Sequence, residues 1–153
     1  MNIAIIAPSP YRFLMGGAEH FYLGLQQFIN ESTHHVCELV KIPTREGSVP
    51  ELVESYRQHA RADLLGFDRI VSCKYPAWMA CHPNHAVYML HPLRGLYDAY
   101  GFHGASPDPE WPDSLAWLRQ EIELLQYAPC SDNDPAISLL DTVEGAIASG
   151  VLA

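Results

Sequence analysis

The chain has 153 residues, room for one domain with a proper core and too few for two of ordinary size. Its composition, 48% hydrophobic and 18% charged, excludes a disordered or low-complexity chain. Acidic residues outnumber basic ones 18 to 9, a formal charge of −9, which argues against nucleic acid as a partner and against adsorption to an anionic lipid surface.

The first residues, MNIAIIAPSP, lack a basic start and a long apolar run, so no signal peptide is expected. No window reaches the roughly 20 apolar residues of a membrane-spanning helix, so no transmembrane segment is expected either. Cys37, Cys73, Cys81 and Cys130 have neither disulfide-framework nor C-x-x-C spacing. Free thiols in a reducing, cytoplasmic setting are the expectation.

In chain order, strand and helix signals alternate. Residues 2–7 (NIAIIA) form a continuous apolar run, as in a strand buried on both faces of a parallel sheet. Residues 17–30 predict a helix with Phe21, Leu25, Phe28 and Ile29 on one face. Residues 36–42 predict a second strand, closed by Pro43. Residues 51–65 predict a helix with Leu52, Tyr56, Ala60 and Leu64 in register and Gly66 as its stop. Residues 68–73 (DRIVSC) predict a third strand, residues 76–81 a short helix, and residues 86–91 (AVYMLH) a fourth strand ending on a polar residue. Residues 95–112 are rich in Gly, Pro, Tyr and Asp and predict an exposed excursion. Two amphipathic helices follow, one carrying Leu115, Leu118, Ile122 and Leu125, the other Leu139, Val143 and Ile147 with Pro135 in its first turn. The pattern predicts an α/β fold, a Rossmann-like parallel sheet with flanking helices. Residues 1–105 form the lobe and residues 106–153 its helical extension. In such sheets ligands bind beyond the carboxyl ends of the strands, which directs attention to the loops after Ala7, Cys73 and Leu90.

Three groups of residues there have chemical content. In APSPYRFLMGGAEH, residues 7–20, Gly16 and Gly17 open a helix, where backbone N–H groups and the helix dipole suit a phosphate. Glu19 in the first turn complements that dipole or accepts from a sugar hydroxyl. The same residues also suit an ordinary tight strand-to-helix turn. In YMLHPLRGLYD, residues 88–98, His91 falls just past a strand, and Arg94 has the geometry to grip a phosphate or carboxylate. A loop closed by an Arg94–Asp98 pair explains those residues equally. The third group is Cys73, Cys81, His82, His85, His91 and His103. Pro83 and Asn84 interrupt any shared face of His82 and His85, so scattered loop histidines and core cysteines are expected in place of a metal site. Glu46 and Glu54 have the spacing of the glutamate pair that retaining GT-B glycosyltransferases carry in their donor lobe, but in the wrong region of the chain, and the match is read as coincidence.

IAIIAPSPYRF and GGAE, taken with DRIVSCKYPAWMACHPNHAVYMLHPLRGLYD, resemble the N-terminal domain of glycosyltransferase family 4 over roughly the first 100 residues. The resemblance implies the acceptor-side lobe of a GT-B fold and a retaining, hexosyltransferase-like transfer from a nucleotide-sugar donor. It further implies no metal and no other cofactor. The acceptor would be a glycan, a lipid-linked sugar or a small molecule. By position, Gly16 and Gly17 would approach the donor diphosphate, with Glu19 beside them. His91 would contact the donor sugar near the reacting carbon as the catalytic residue, and Arg94 would hold acceptor or phosphate. No counterpart of the family's donor-binding lobe is found, so a truncated lobe, inactive as this isolated chain, is expected. The alternative is a Rossmann-like ligand-binding or interaction module without catalysis.

Overall fold

The computed structural model describes residues 1–10, 15–91, 113, 116–125, 127 and 134–151. The first strand, β1 (Asn2–Ser9), is buried along almost its whole length. Its alternation divides the core in two. Ile3, Ile5 and Ala7 face one way, into a cluster with Tyr22, Cys37 and Cys73. Ala4 and Ile6 face the other way, toward Leu64, Ile70, Ala77 and Ala80. A strand apolar on both faces is what a sheet covered on both sides requires. Each of the isoleucines contributes about 1.5–3 kcal/mol by leaving water.

Helix α1 (Gly17–Ser32) covers the first cluster through Ala18, Phe21, Leu25 and Ile29, with Tyr22 fully buried. The predicted face is therefore rotated: Phe28 is 61% exposed, and Tyr22 takes the central place. The helix stops at Thr33, whose backbone N–H and hydroxyl both donate to the Ile29 carbonyl, at 3.2 and 2.6 Å. Strand β2 (Val36–Pro43) runs parallel to β1.

Helix α2 (Val49–Ala60) starts at Ser48, whose hydroxyl accepts from Glu51 N–H, with Pro50 in the first turn. It begins two residues before the predicted 51–65 span and ends five residues short of it. The early stop has a local cause, since the Asp63 carboxylate takes the Leu65 N–H at 3.3 Å and competes with the helical ladder. Leu64 is still buried, on the turn beyond the helix. The buried face is also broader than predicted, carrying Val53, Ser55, Arg57, His59 and Ala60, because α2 meets a further helix as well as the sheet.

Strand β3 (Arg69–Lys74) leads into a cis Tyr75–Pro76 bond. The helix predicted over residues 76–81 is only a single 3-10 turn, Ala77–Met79, held by Met79 N–H to the Pro76 carbonyl and Ala80 N–H to the Ala77 carbonyl. Strand β4 (His85–His91) follows. Helices α3 (Ala116–Leu125) and α4 (Asp134–Ala148) correspond to the two predicted amphipathic helices. Leu118 is buried, and Leu139, Val143 and Ile147 are half-buried. Leu115 and the excursion predicted over residues 95–112 lie outside the described residues.

The four strands form one all-parallel sheet in the order β2-β1-β3-β4. The fold is α/β, a Rossmann-like parallel sheet with flanking helices. From β1 the chain moves outward on one side to β2, then returns across to β3 on the other. The topological switch point therefore lies between the carboxyl ends of β1 and β3.

Candidate functional site

The carboxyl edge of the sheet collects Ser9 from β1, Pro43 from β2, Lys74 from β3 and His91 from β4. Gly16, Gly17 and Glu19 stand where α1 leaves β1. His91 closes β4 and pairs in register with Lys74, past an irregularity in β3 between Ser72 and Lys74. The GGAE turn and His91 therefore belong to the same edge, with β3 between their strands, about 10 Å apart by strand spacing. The expected donor contact of the His91 side chain, and both Arg94 and Asp98, lie outside what is described.

The two glycines are not there for backbone freedom. Gly16 is extended at φ −118°, ψ −171°, a conformation open to any residue. A Cβ on Gly17 would meet nothing within 4 Å. What Gly17 leaves is exposed backbone at the positive end of a 16-residue helix, whereas a Cβ on Gly16 would come within 3.0 Å of the Glu19 carboxylate. Glu19 is already engaged: its carboxylate accepts the Gly16 N–H at 2.9 Å. It completes the helix start.

Beside this turn a groove of about 370 Å³ opens between α1 and β2. Ser9, Glu19, Tyr22 and Lys41 supply its polar groups, and Met15, Leu23 and Leu39 its apolar wall. Strand alternation explains the lining, because Cys37, Leu39 and Lys41 share the β2 face turned to α1. Tyr22 is 1% exposed, and its hydroxyl has no hydrogen-bond partner among the described residues. Burial pushes that hydroxyl far above its usual range, with Cys73 and Glu19 adding to the rise. An orphan buried hydroxyl costs about 1–3 kcal/mol that a phenyl ring would not. Periodicity alone did not single out Tyr22 or Lys41; the signal was their spacing, Tyr22 one turn beyond Glu19 and Lys41 two residues beyond Leu39.

The neighbouring loops are tied down. The Tyr75 hydroxyl donates to Glu46 at 2.6 Å, joining the loop after β2 to the turn after β3. Burial and this carboxylate both raise the Tyr75 hydroxyl. Glu54 bonds Arg57 and Gln58 on α2 instead, so the two glutamates of the coincidental spacing serve unrelated partners.

His82 and His85 of the third group are occupied in the same way, and His103 and the His91 side chain lie outside the described residues. His82 accepts Asn84 N–H on Nδ1 and donates from Nε2 to the Phe67 carbonyl. His85 Nε2 meets the fully buried Ser72 hydroxyl at 2.8 Å. Cys37 and Cys73 are buried thiols, and burial lifts Cys73 to about 11, too high for a reactive thiolate. Among the described residues no group of three or more His, Cys, Asp and Glu stands ready for a metal ion. No described helix is long and apolar enough to cross a membrane.

No family model, curated protein or solved structure matches the chain.

Proposed function

We propose that this chain is the acceptor-side lobe of a retaining, GT-B-type glycosyltransferase, working on a nucleotide-sugar donor held by a facing lobe. The observation that carries the reading is the convergence of the α1 start, with Gly17 exposed, and the β4 terminus at His91 on one carboxyl edge, flanking the switch point. Ligands of open parallel sheets gather there.

In this reading the lobe supplies positioning more than chemistry. The helix α1 terminus faces the negative charge that develops on a departing diphosphate, and Gly17 lets that group come within hydrogen-bond range of the backbone. His91 stands two strands away, on the side of the sugar ring, as the catalytic residue. Arg94, three residues further on, holds phosphate or acceptor. The acceptor, a glycan, lipid-linked sugar or small molecule, approaches from this lobe. No metal ion or other cofactor is called for.

The division of labour has a direct test. UDP and GDP are titrated into the ¹⁵N-labelled chain, with uridine and guanosine as controls. The diphosphates are expected to shift the Gly16 and Gly17 amides selectively, with dissociation constants in the region of 1 mM, about −4 kcal/mol. Unmoved glycine amides would remove the donor-facing role. Micromolar binding by calorimetry would instead mean that the donor site lies in this lobe, and the acceptor-side assignment would fall.

A further inference from the structure

The groove between α1 and β2 lies beside the glycine turn, on the outer side of the sheet from His91. Two independent features distinguish it from an ordinary surface fold. The first is the Tyr22 hydroxyl, almost wholly buried and without a partner among the described residues, on a side chain that lines the groove. The second is the mixed lining, in which one ammonium, from Lys41, and one carboxylate, from Glu19, flank an apolar wall of Met15, Leu23 and Leu39. Small-molecule sites have this make-up: mostly apolar walls, a few convergent polar groups and a volume of a few hundred cubic ångströms.

We propose that this groove binds a small hydroxylated organic anion with an apolar face, its acidic group at Lys41 and one of its oxygens at the Tyr22 hydroxyl. The charge arrangement sets the class. Lys41 is the single cation among the groove's described lining residues, so the ligand's acidic group goes there. Glu19 already accepts the Gly16 N–H, and a carboxylate is an acceptor only, which favours ligand hydroxyls over a second anionic group. The apolar wall excludes a fully hydrated ion such as free phosphate and calls for a carbon face of a ring or an attached aryl or alkyl group. As an acceptor subsite the groove rests on the transferase reading above; as a binding site it does not.

The probes are 4-nitrophenyl β-glucuronide and 4-nitrophenyl β-glucoside, which share ring and aryl group and differ by the carboxylate. Both are titrated into the chain with no nucleotide present. The glucuronide is expected to bind about five-fold tighter, the preference one partly exposed ion pair supports. Lys41→Gln should erase the preference, leaving glucoside binding in place. Tyr22→Phe should weaken both probes about five- to ten-fold, the worth of one hydrogen bond.

Thermal melting provides the control for folding. Because the hydroxyl has no partner among the described residues, Tyr22→Phe should melt no lower than the parent. A lower melting temperature would mean that the hydroxyl is committed inside the protein, and the proposal would be wrong. Equal affinity for the two probes, unchanged binding by the phenylalanine variant, or no binding of either probe would overturn it too. Since every arm omits nucleotides, failure here leaves the donor-facing role of Gly16 and Gly17 to its own titration.

Discussion

Gly17 separates function from stability at a single position. Its Cβ space is open and its backbone is helical, so Gly17→Ala should stabilise the chain by about 0.5–1 kcal/mol through helix propensity, less if the first turn frays. The same methyl would stand over the backbone that the diphosphate is proposed to approach. The variant should melt at the same temperature or higher, yet lose the UDP-induced amide shifts; retained shifts would show that the glycine is merely permitted there. Asn30 poses the opposite case. Its side-chain amide accepts Cys37 N–H at 2.7 Å and donates to the Cys37 carbonyl at 2.9 Å. β2 is an edge strand among the described residues, where Asn30 satisfies backbone groups that no further described strand pairs. Asn30→Ala should cost about 1–2 kcal/mol in urea denaturation, because Gln26 still reaches the same carbonyl at 3.2 Å. Gln27→Ala, which loses only the exposed bond to Glu31, should cost less than about 0.5 kcal/mol. Equal effects would refute the edge-capping role.

At the scale of elements, one residue fastens α4 to α2. The Arg57 side chain is only 9% exposed and bonds Glu54 at 2.9 Å, Asp141 at 2.8 Å and Glu144 at 2.7 Å. The hydrogen bond to Glu144 leads the forces that keep the guanidinium protonated against its burial, with those to Glu54 and Asp141 adding to it. The three carboxylates are half-exposed, so water screens much of the attraction. Arg57→Met should therefore cost about 1–2 kcal/mol, and hydrogen exchange should accelerate mainly in α4, which has no fully buried residue of its own. Uniform acceleration across the sheet would contradict this picture. The elements themselves were largely legible in the sequence. The continuous apolar run of NIAIIA and the period of 3.6 in α1, α3 and α4 follow from where water is excluded, whereas AVYMLH forms β4 with Val87, Tyr88 and Met89 exposed. The face of α2 was not legible, because a buried arginine and histidine look polar until their partners are known: Asp141 and Glu144 lie more than 80 residues away. The 3-10 turn at Ala77–Met79 was overestimated for a related reason, as Pro76 and Pro83 bracket too few residues for a full helix. In the site, GGAE marked the right strand-to-helix junction, and position alone marked His91. Tyr22 was missed because an orphan hydroxyl is a property of three-dimensional packing, invisible in a helical repeat.

For the whole molecule, acid should be the sensitive direction, even though lowering the pH relieves a formal charge of −9. His59 is fully buried, donates from Nδ1 to the Ser55 carbonyl at 2.8 Å and leaves Nε2 bare among the described residues. A second proton would have to sit on that buried nitrogen, so burial holds His59 below the usual histidine value of 6.5. Burial also lowers His85, whose Nε2 bonds Ser72. For both groups the unfolded chain binds protons more readily than the folded one. Their stabilisation is complete above the unfolded value near 6.5 and is lost as the pH falls below it toward the folded values. Charge repulsion changes in the opposite sense as the pH nears the pI of about 5.2. At 0.15 M salt, surface charges are screened beyond about 8 Å, whereas a buried imidazole is screened far less. The desolvation effect should therefore win. Between pH 7.5 and 5.5 the melting temperature should fall by at least about 3 °C, the shift that 1 kcal/mol produces in a domain of this size. His59→Gln, which cannot titrate, should flatten the slope while lowering the plateau. If melting were flat or rose on acidification, or if the glutamine variant kept the full slope, the buried histidines would not be the groups that set the acid limit of this fold.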